Sequence, residues 1–351
     1  MSGAAAGDHC KNGTITPLGR PPDGKDPLDP ANEAMLPAWG LPPKPLDGCG
    51  RQLWRRMLDG AIRDPAQYEC DPDEEIPKPE TVVRERGAFR VRIGLRQGSR
   101  TQRSRNWSGA WILPRNGRRF VAVWGSWTVP DARAPEPGDP KPPASGRGRG
   151  PDAARCSHWI GIGGHRRHSR SLPQVGTMTA VDWAGAVRHY AWYQWWDETR
   201  SYGPLRITNL QVNAKDRIIA AVTAEGHDKV RLHIRNENTC ELRSIEWQAN
   251  AAWAPVDVDG KSAEWVVERP SWFDLEREPH LFQLPRLEPV QFDCCHAEAA
   301  EAIGAPASAR DLTGARLVRM VGRGDGAPGS RFLAIPRKHG ADALGVSVQA
   351  P

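Results

Sequence analysis

Hydrophobic and polar residues alternate with a period of two in many short runs after residue 104. In RIIAAVTA (217–224), Ile218, Ala220 and Val222 share one face of a strand. Runs of this kind, bounded by turn residues, occur at 106–113, 120–130, 158–164, 188–196, 216–226, 229–236, 263–270, 290–295, 315–321, 331–336 and 344–349. Because no helical period separates them, we predict an all-β domain, an antiparallel two-sheet β-sandwich, over residues 104–351.

The first hundred residues have a different texture. Residues 1–50 are rich in proline with little periodic apolar pattern, which predicts an irregular arm. An amphipathic pattern near 51–63 predicts one short helix, with Leu53 and Met57 on one row and Trp54 and Leu58 on the next. An acidic, proline-punctuated break follows, so we place the boundary between about 80 and 103. The predicted division is an arm at 1–103, a candidate pro-segment, and the β domain at 104–351.

The amino-acid composition excludes further classes of protein. The 351 residues include 35 Gly and 32 Pro, which argues against a helical bundle, and the Pro/Gly/Arg-rich stretch 131–155 is predicted to be a surface loop. No apolar stretch approaches the roughly 18 residues of a membrane span. The first residues lack the basic and apolar regions of a classical signal peptide. We therefore predict no membrane partner and leave the compartment open.

The charge pattern argues against nucleic acid as a partner. The net charge is +6 and the pI about 9.0, but 48 basic residues are interleaved with 42 acidic ones. Seven cysteines form no C-x-x-C pair, which excludes zinc-ribbon and thioredoxin-like classes. Cys156 and His158 share a strand face, but no third group orients them as a nucleophile and base. His158, His165 and His168 lie beside arginines that would repel a cation, so we predict no metal site.

The segment AEWVVE (263–268) carries the most interesting carboxylates. On a strand, Glu264 and Glu268 point to the same face, about 13 Å apart along the chain. Glycosidase carboxylates lie about 5–9.5 Å apart, so these two cannot form such a pair by themselves. A catalytic glutamate here would need a partner from another strand, and a glutamate on the solvent side of the sheet is the alternative.

Read in order, several segments resemble the glutamic peptidases, the eqolisin or G1 peptidase family. The matching segments are NWSGA (106–110), VWGSWTVP (123–130), HWIGIGG (158–164), LPQVGT (172–177), AWYQWW (191–196), DRIIAAVTA (216–224), AEWVVE (263–268), VQFDC (290–294) and ARDLTGARLVRMV (309–321). None is specific alone, but their order holds over about 104–351. The first hundred residues match no family that we can name.

The resemblance implies a fold, an activity and a site. The fold is a sandwich of two large antiparallel sheets similar to the lectin-like jelly roll. The activity is that of a typically secreted acid endopeptidase, which cleaves polypeptides without metal or cofactor. The catalytic dyad is one Gln and one Glu from neighbouring strands of one sheet, which fall on Gln174 and Glu268 here, not on Glu264.

The implied chemistry is physically reasonable. Amide hydrolysis without a covalent intermediate needs an activated water, stabilisation of the oxyanion and a proton for the leaving amine. A glutamate can serve as base and then as acid. A glutamine carboxamide has both a donor and an acceptor, so it can position the water and stabilise the oxyanion. Burial among Trp and Val is expected to raise the pKa of the glutamate.

Further residues match family positions near the substrate-binding cleft. Trp107 and Trp159 are candidate substrate-binding residues, whereas Trp192 is assigned to the core. Gly163 and Gln194 stand where the family usually has carboxylates, and Pro173 before Gln174 is also unusual. These departures keep an alternative open: a catalytically inactive or repurposed β-sandwich that binds peptide or glycan through a Trp-rich groove. In either case we predict a monomer.

Overall fold

The computed structural model describes residues 13–19, 24–46, 48–70, 101–135, 152–165, 169, 171–197, 203–249, 258–273, 279–323 and 330–349. Within these ranges the chain is mostly β-structure, with one α-helix, α1 (Gly48–Leu58), and one 3-10 helix at Pro30–Met35. The all-β prediction is therefore confirmed. No helix in the described ranges is long and apolar enough to cross a membrane.

The strands follow in chain order. The first twelve are β1 Gly13–Leu18, β2 Ile62–Arg63, β3 Tyr68–Cys70, β4 Thr101–Ser104, β5 Trp107–Ile112, β6 Arg119–Thr128, β7 Ala132–Arg133, β8 Asp152–Ile162, β9 Ser171–Asp182, β10 Val187–Asp197, β11 Leu205–Ile207 and β12 Arg217–Ala224. The others are β13 Lys229–Asn236, β14 Glu241–Ala249, β15 Ala263–Glu268, β16 Ser271–Phe273, β17 Pro279–Leu281, β18 Arg286–Leu287, β19 Val290–Ala300, β20 Ser308–Arg310, β21 Arg316–Arg323, β22 Ser330–Lys338 and β23 Leu344–Val348.

Two runs of hydrogen-bonded strands make up most of the sheet structure. The first has the order β4-β21-β5-β15-β8-β9-β10-β11-β3, antiparallel except for the parallel pair β4–β21. The second runs β1-β14-β13-β12-β6-β19 and is fully antiparallel. Strands β22 and β23 connect β21 of the first run to β19 of the second.

Three hydrophobic clusters show which faces are covered. The largest combines residues of both runs, such as Ile160 and Trp265 from the first with Trp127 and Val222 from the second. A second cluster packs α1 against the other face of β6 and β12. A third, rich in tryptophan, lies on the opposite face of the first run, around Trp159. The first run therefore presents one face to the main core and one tryptophan-rich face away from it.

The N-terminal arm is more regular than the sequence predicts. Strand β1 pairs with β14 over six residues, and a disulfide joins Cys49 on α1 to Cys294 on β19. Helix α1 ends before the predicted residue 63 because Gly60 takes the left-handed conformation (φ 57°), which stops the helix and lets Ile62 enter a strand. Hydrophobic periodicity does not predict these strands, because pairing with another strand stabilises them rather than an alternating pattern of their own.

Two other sequence-based boundaries are only partly tested. Of the predicted loop 131–155, residues 132–133 form β7 and 152–155 begin β8, while 136–151 lie outside the described residues. The predicted boundary at 80–103 also lies outside them up to residue 100, and β4 begins at Thr101. Strand β9 is missed by periodicity because Ser171, Thr177 and Thr179 interrupt its apolar pattern, although all three are fully buried.

Candidate active site

The cross-strand register places the two predicted dyad residues on one face of the first run. Glu268 of β15 lies opposite Ser157 of β8, and Gly161 of β8 lies opposite Gln174 of β9. Residues 157 and 161 of one strand point to the same side, so Glu268 and Gln174 do as well. This is the tryptophan-rich face, with Trp159 halfway between the two positions.

The register differs from the expected dyad in one respect. Gln174 and Glu268 were expected on neighbouring strands, but β8 lies between β15 and β9. In a flat sheet their backbones would be roughly 13 Å apart along the strands and about 10 Å across them. Trp159 of β8 therefore lies between the two residues on their common face.

Three N–H groups hold the carboxyl group of Glu268. Its Oε1 accepts hydrogen bonds from Asn106 Nδ2 at 3.1 Å and from Trp107 Nε1 at 2.9 Å. Its Oε2 accepts one from Trp159 Nε1 at 2.8 Å. Glu268 is the last residue of β15 and remains partly exposed. The three donors thus fix the orientation of the carboxyl group.

Burial raises the pKa of Glu268 to about 7, although its hydrogen bonds with Trp107, Trp159 and Asn106 act in the opposite direction. The three donors favour the ionised form, but they are neutral and only partly replace lost hydration. A carboxyl group of this pKa exchanges a proton readily near neutral pH.

Gln174 has a defined carboxamide orientation. Its Nε2 donates to Gln194 Oε1 at 2.7 Å, across the β9–β10 pair. The side chain is 4% exposed, and its Oε1 has no hydrogen-bond partner among the described residues. A buried acceptor of this kind usually binds a water or a ligand. One N–H of the carboxamide also remains beyond the one donated to Gln194.

The tryptophans surround the carboxyl group of Glu268 more than they line an open groove. Trp107 and Trp159 meet edge to face, with ring centroids 5.0 Å apart, and are 8% and 0% exposed. Trp192, assigned to the core from sequence, is buried in the same cluster on this face. Its Nε1 has no hydrogen-bond partner among the described residues.

Both positions that lack a carboxylate of the family pattern, Gly163 and Gln194, lie at the Gln174 end of this face. Gly163 has φ 89°, and a Cβ atom there would lie 3.1 Å from Asp259 Oδ1. A carboxylate therefore lies beside Gly163, supplied by another segment of the chain. Gln194 accepts the hydrogen bond from Gln174, which a carboxylate at that position would also do.

Glu264 shares the face of Glu268 but not its surroundings. It is 0% exposed in mid-strand, and neither carboxyl oxygen has a hydrogen bond within 3.5 Å among the described residues. Burial raises its pKa well above the ordinary 4.5; a weak interaction with Ser262 lowers it and Asp259 raises it further. The folded state therefore favours the protonated form of Glu264, and solvent does not reach this residue.

The remaining sequence candidates do not form reactive sites. Cys156 and His158 are both fully buried; burial raises the pKa of the thiol and lowers that of the imidazole to about 3, so both groups stay neutral. His165 stacks on Trp111 at 3.9 Å, and His168 lies outside the described residues. Across the described ranges, no group of three or more His, Cys, Asp or Glu could hold a metal ion.

Sequence reasoning missed Asn106, although it directly precedes Trp107 and donates to the same carboxylate oxygen. The only signal was its place in the segment NWSGA. Asn106 is oriented by Ser104 of β4, and no sequence pattern indicated that residue.

The described residues thus place a partly exposed glutamate of raised pKa and a buried glutamine on one face of a β-sheet. The family model described as the peptidase A4 family matches residues 105–325. The chain therefore belongs to the peptidase A4 family, that of the glutamic peptidases or eqolisins, and is a glutamic endopeptidase.

Solved structures agree on the fold. Scytalido-glutamic peptidase with a peptide-based transition-state analogue superposes with a TM-score of 0.52 at 16% identity, covering 70% of this chain and 98% of that one. The same peptidase with a transition-state analogue inhibitor gives 0.51 at 16% identity, with the same coverage. No curated protein sequence matches the chain.

Proposed function

We propose that the enzyme hydrolyses peptide bonds within polypeptides by a Glu268/Gln174 dyad and an activated water, without a covalent intermediate. The observation that carries the proposal is the common face of the two residues. On it, Glu268 has a raised pKa, and the buried Oε1 of Gln174 accepts no hydrogen bond from the residues that the structure describes. The family resemblance assigns Glu268 and Gln174 as the dyad, and these contacts support that assignment. It also assigns Trp107 and Trp159 to substrate binding.

Each step can be assigned to an atom. Oε1 of Glu268 already accepts two hydrogen bonds, whereas Oε2 accepts one, so Oε2 is the atom available to a water. Glu268 Oε2 takes a proton from the water while Gln174 Oε1 accepts the other water hydrogen. The water oxygen attacks the carbonyl carbon, and the remaining N–H of Gln174 donates to the oxyanion. The C–N bond then breaks, and Glu268 returns the proton to the amine nitrogen.

The pKa of about 7 sets the working pH in this proposal. The base form of Glu268 decreases tenfold for each pH unit below that pKa. Activity is therefore expected at weakly acidic to neutral pH, which is a higher pH range than that of the acid endopeptidase predicted from the resemblance. At strongly acidic pH Glu268 is fully protonated and cannot accept the proton of the water.

The tryptophans have a positioning role in this proposal. Trp159 is fully buried, so its contribution is the hydrogen bond that its N–H donates to Glu268. Trp107 is slightly exposed and can contact a polypeptide at its ring edge. The alternative is a catalytically inactive or repurposed sandwich that binds peptide or glycan through a Trp-rich groove, which would use the same aromatic face but needs no ionisable Glu268.

We extend the proposal to the sheet arrangement, the domain division and the oligomeric state. A two-sheet, jelly-roll-like sandwich is supported by the core cluster that both strand runs share. The division into an arm at 1–103 and a peptidase domain at 104–351 is supported by the family match at 105–325. Removal of the arm as a pro-segment would have to break the β1–β14 pairing and separate Cys49 from Cys294. That the enzyme is a monomer stays a prediction.

The test compares the native chain with Glu268→Gln and Glu264→Gln on a denatured protein substrate between pH 3 and 8. We expect Glu268→Gln to lower kcat/KM by about 100- to 10,000-fold, the usual contribution of general acid–base catalysis. Glu264→Gln is the matched control, since it makes the same change four residues away and is expected to stay active. Full activity of a folded Glu268→Gln variant would refute the dyad, and no activity in the native chain would favour the binding protein.

A further inference from the structure

Strand β4 lies just before the segment that matches the family, yet it contacts the site. It runs parallel to β21, with Ser104 opposite Met320. Ser104 is 2% exposed and lies at the turn that leads into β5. Its position gives it access to both residues that bind Oε1 of Glu268.

The hydroxyl of Ser104 has three partners at this turn. It donates to Asn106 Oδ1 at 3.0 Å. Its oxygen also accepts hydrogen bonds from two backbone N–H groups, that of Asn106 at 3.3 Å and that of Trp107 at 3.0 Å. The turn between β4 and β5 is thereby fixed, together with the starting point of Trp107.

This arrangement selects one orientation of the Asn106 carboxamide. Because Ser104 donates to Oδ1, Nδ2 must point the other way, where it donates to Glu268 Oε1 at 3.1 Å. The flipped carboxamide would have nearly the same shape, but it would direct its oxygen at a carboxylate and lose the bond to Ser104. Only one orientation satisfies both contacts.

We propose that Ser104 is a positioning residue of the active site, which holds the Asn106 carboxamide so that it donates to Glu268. The relay Ser104–Asn106–Glu268 rests on the proposed role of Glu268 as acid and base. It extends the functional site to a strand outside the family match at residues 105–325.

The pKa of Glu268 can report on the relay, because the groups that contact its carboxyl group are neutral hydrogen-bond donors. Neutral residues contact its carboxyl group from β5 and β8, namely Trp107 and Trp159, and Asn106 does so from the turn before β5. Beyond burial, these three hydrogen bonds are what shifts its pKa, and among the described residues no charged side chain contributes a resolved shift. The Cys156 thiol, which interacts with it from the core side, is neutral.

The test is Ser104→Ala in the full chain, with carboxyl ¹³C shifts of Glu-labelled protein followed against pH and Glu268 assigned by Glu268→Gln. Loss of the relay should raise the apparent pKa of Glu268 by about one unit. The acid limb of kcat/KM should move by the same amount. Ser104→Thr, which keeps the hydroxyl, should restore the native titration.

Ser108→Ala is the matched control, because Ser108 is also fully buried and its hydroxyl donates to Val318 O, away from Glu268. If Ser104→Ala does not fold, Asn106→Ala should give the same shift, and the double variant should add little to it. An unchanged titration in a folded variant, or an equal shift in Ser108→Ala, overturns the relay. Proteolysis by Glu268→Gln would instead overturn the proposed function, because the titration reports the relay without activity.

Discussion

Replacing Glu264 by glutamine should stabilise the enzyme at neutral pH. Glu264 is fully buried, with no hydrogen bond to either carboxyl oxygen among the described residues. Its pKa is raised above the ordinary value of 4.5, so the folded state favours the protonated form. Glu264 therefore contributes its full stabilisation below pH 4.5, and this contribution to the free energy of unfolding decreases as the pH rises. A glutamine has nearly the same shape and needs no proton.

The size of the effect follows from the pH. Keeping a carboxyl of ordinary pKa 4.5 protonated at pH 7 costs about 1.4 kcal/mol per unit, or roughly 3 kcal/mol in all. Glu264→Gln should therefore increase the free energy of unfolding by up to this amount at pH 7 and change it little at pH 4. Lost packing or an imperfect amide contact would subtract from the gain at both pH values alike.

The assay is urea unfolding of the native chain and Glu264→Gln at pH 4 and pH 7, with kcat/KM measured in parallel. Glu301→Gln, at an exposed turn, is the control and should change stability by less than about 0.5 kcal/mol. The reasoning would be refuted if the difference in free energy of unfolding, variant minus native chain, were lower at pH 7 than at pH 4. Glu264 would then be ionised and paired in the folded state.

Two further predictions concern stability. Burial lowers the pKa of His233 from the ordinary 6.5 to about 3, so its contribution is complete above pH 6.5 and is lost on acidification, by roughly 3 kcal/mol at pH 4. The stability of His233→Gln should therefore depend less on pH between 7 and 4 in urea unfolding, and parallel curves would contradict this. Separately, Cys49→Ser should lower the free energy of unfolding by about 2–4 kcal/mol, because the disulfide with Cys294 closes a long loop. Cys240→Ser, at a free cysteine, is its control, and equal losses in both variants would argue against the disulfide.

Local sequence patterns were sufficient for the fold class and for the dyad candidates. Period-two alternation and the turn residues predict the strands, and the amphipathic rows near Leu53 predict α1. The order of short motifs, through the resemblance to the glutamic peptidases, makes Gln174 and Glu268 the dyad candidates, because each motif depends on neighbours in the chain. Strand β9 escaped periodicity because both of its faces are buried, so polar and apolar residues no longer alternate.

The tertiary structure decided which groups can act. Glu264 and Glu268 belong to one strand face by sequence, yet one is sealed in mid-strand and the other ends its strand beneath three N–H donors. The three donors to Glu268 come from residues more than a hundred positions away, and the Asp259 carboxylate beside Gly163 is also supplied by a distant segment of the chain. Sequence fixes which side of a strand a residue points to, because that depends on two neighbouring peptide units. Burial, pKa and hydrogen-bond partners depend on cross-strand register, which only the assembled sheets define.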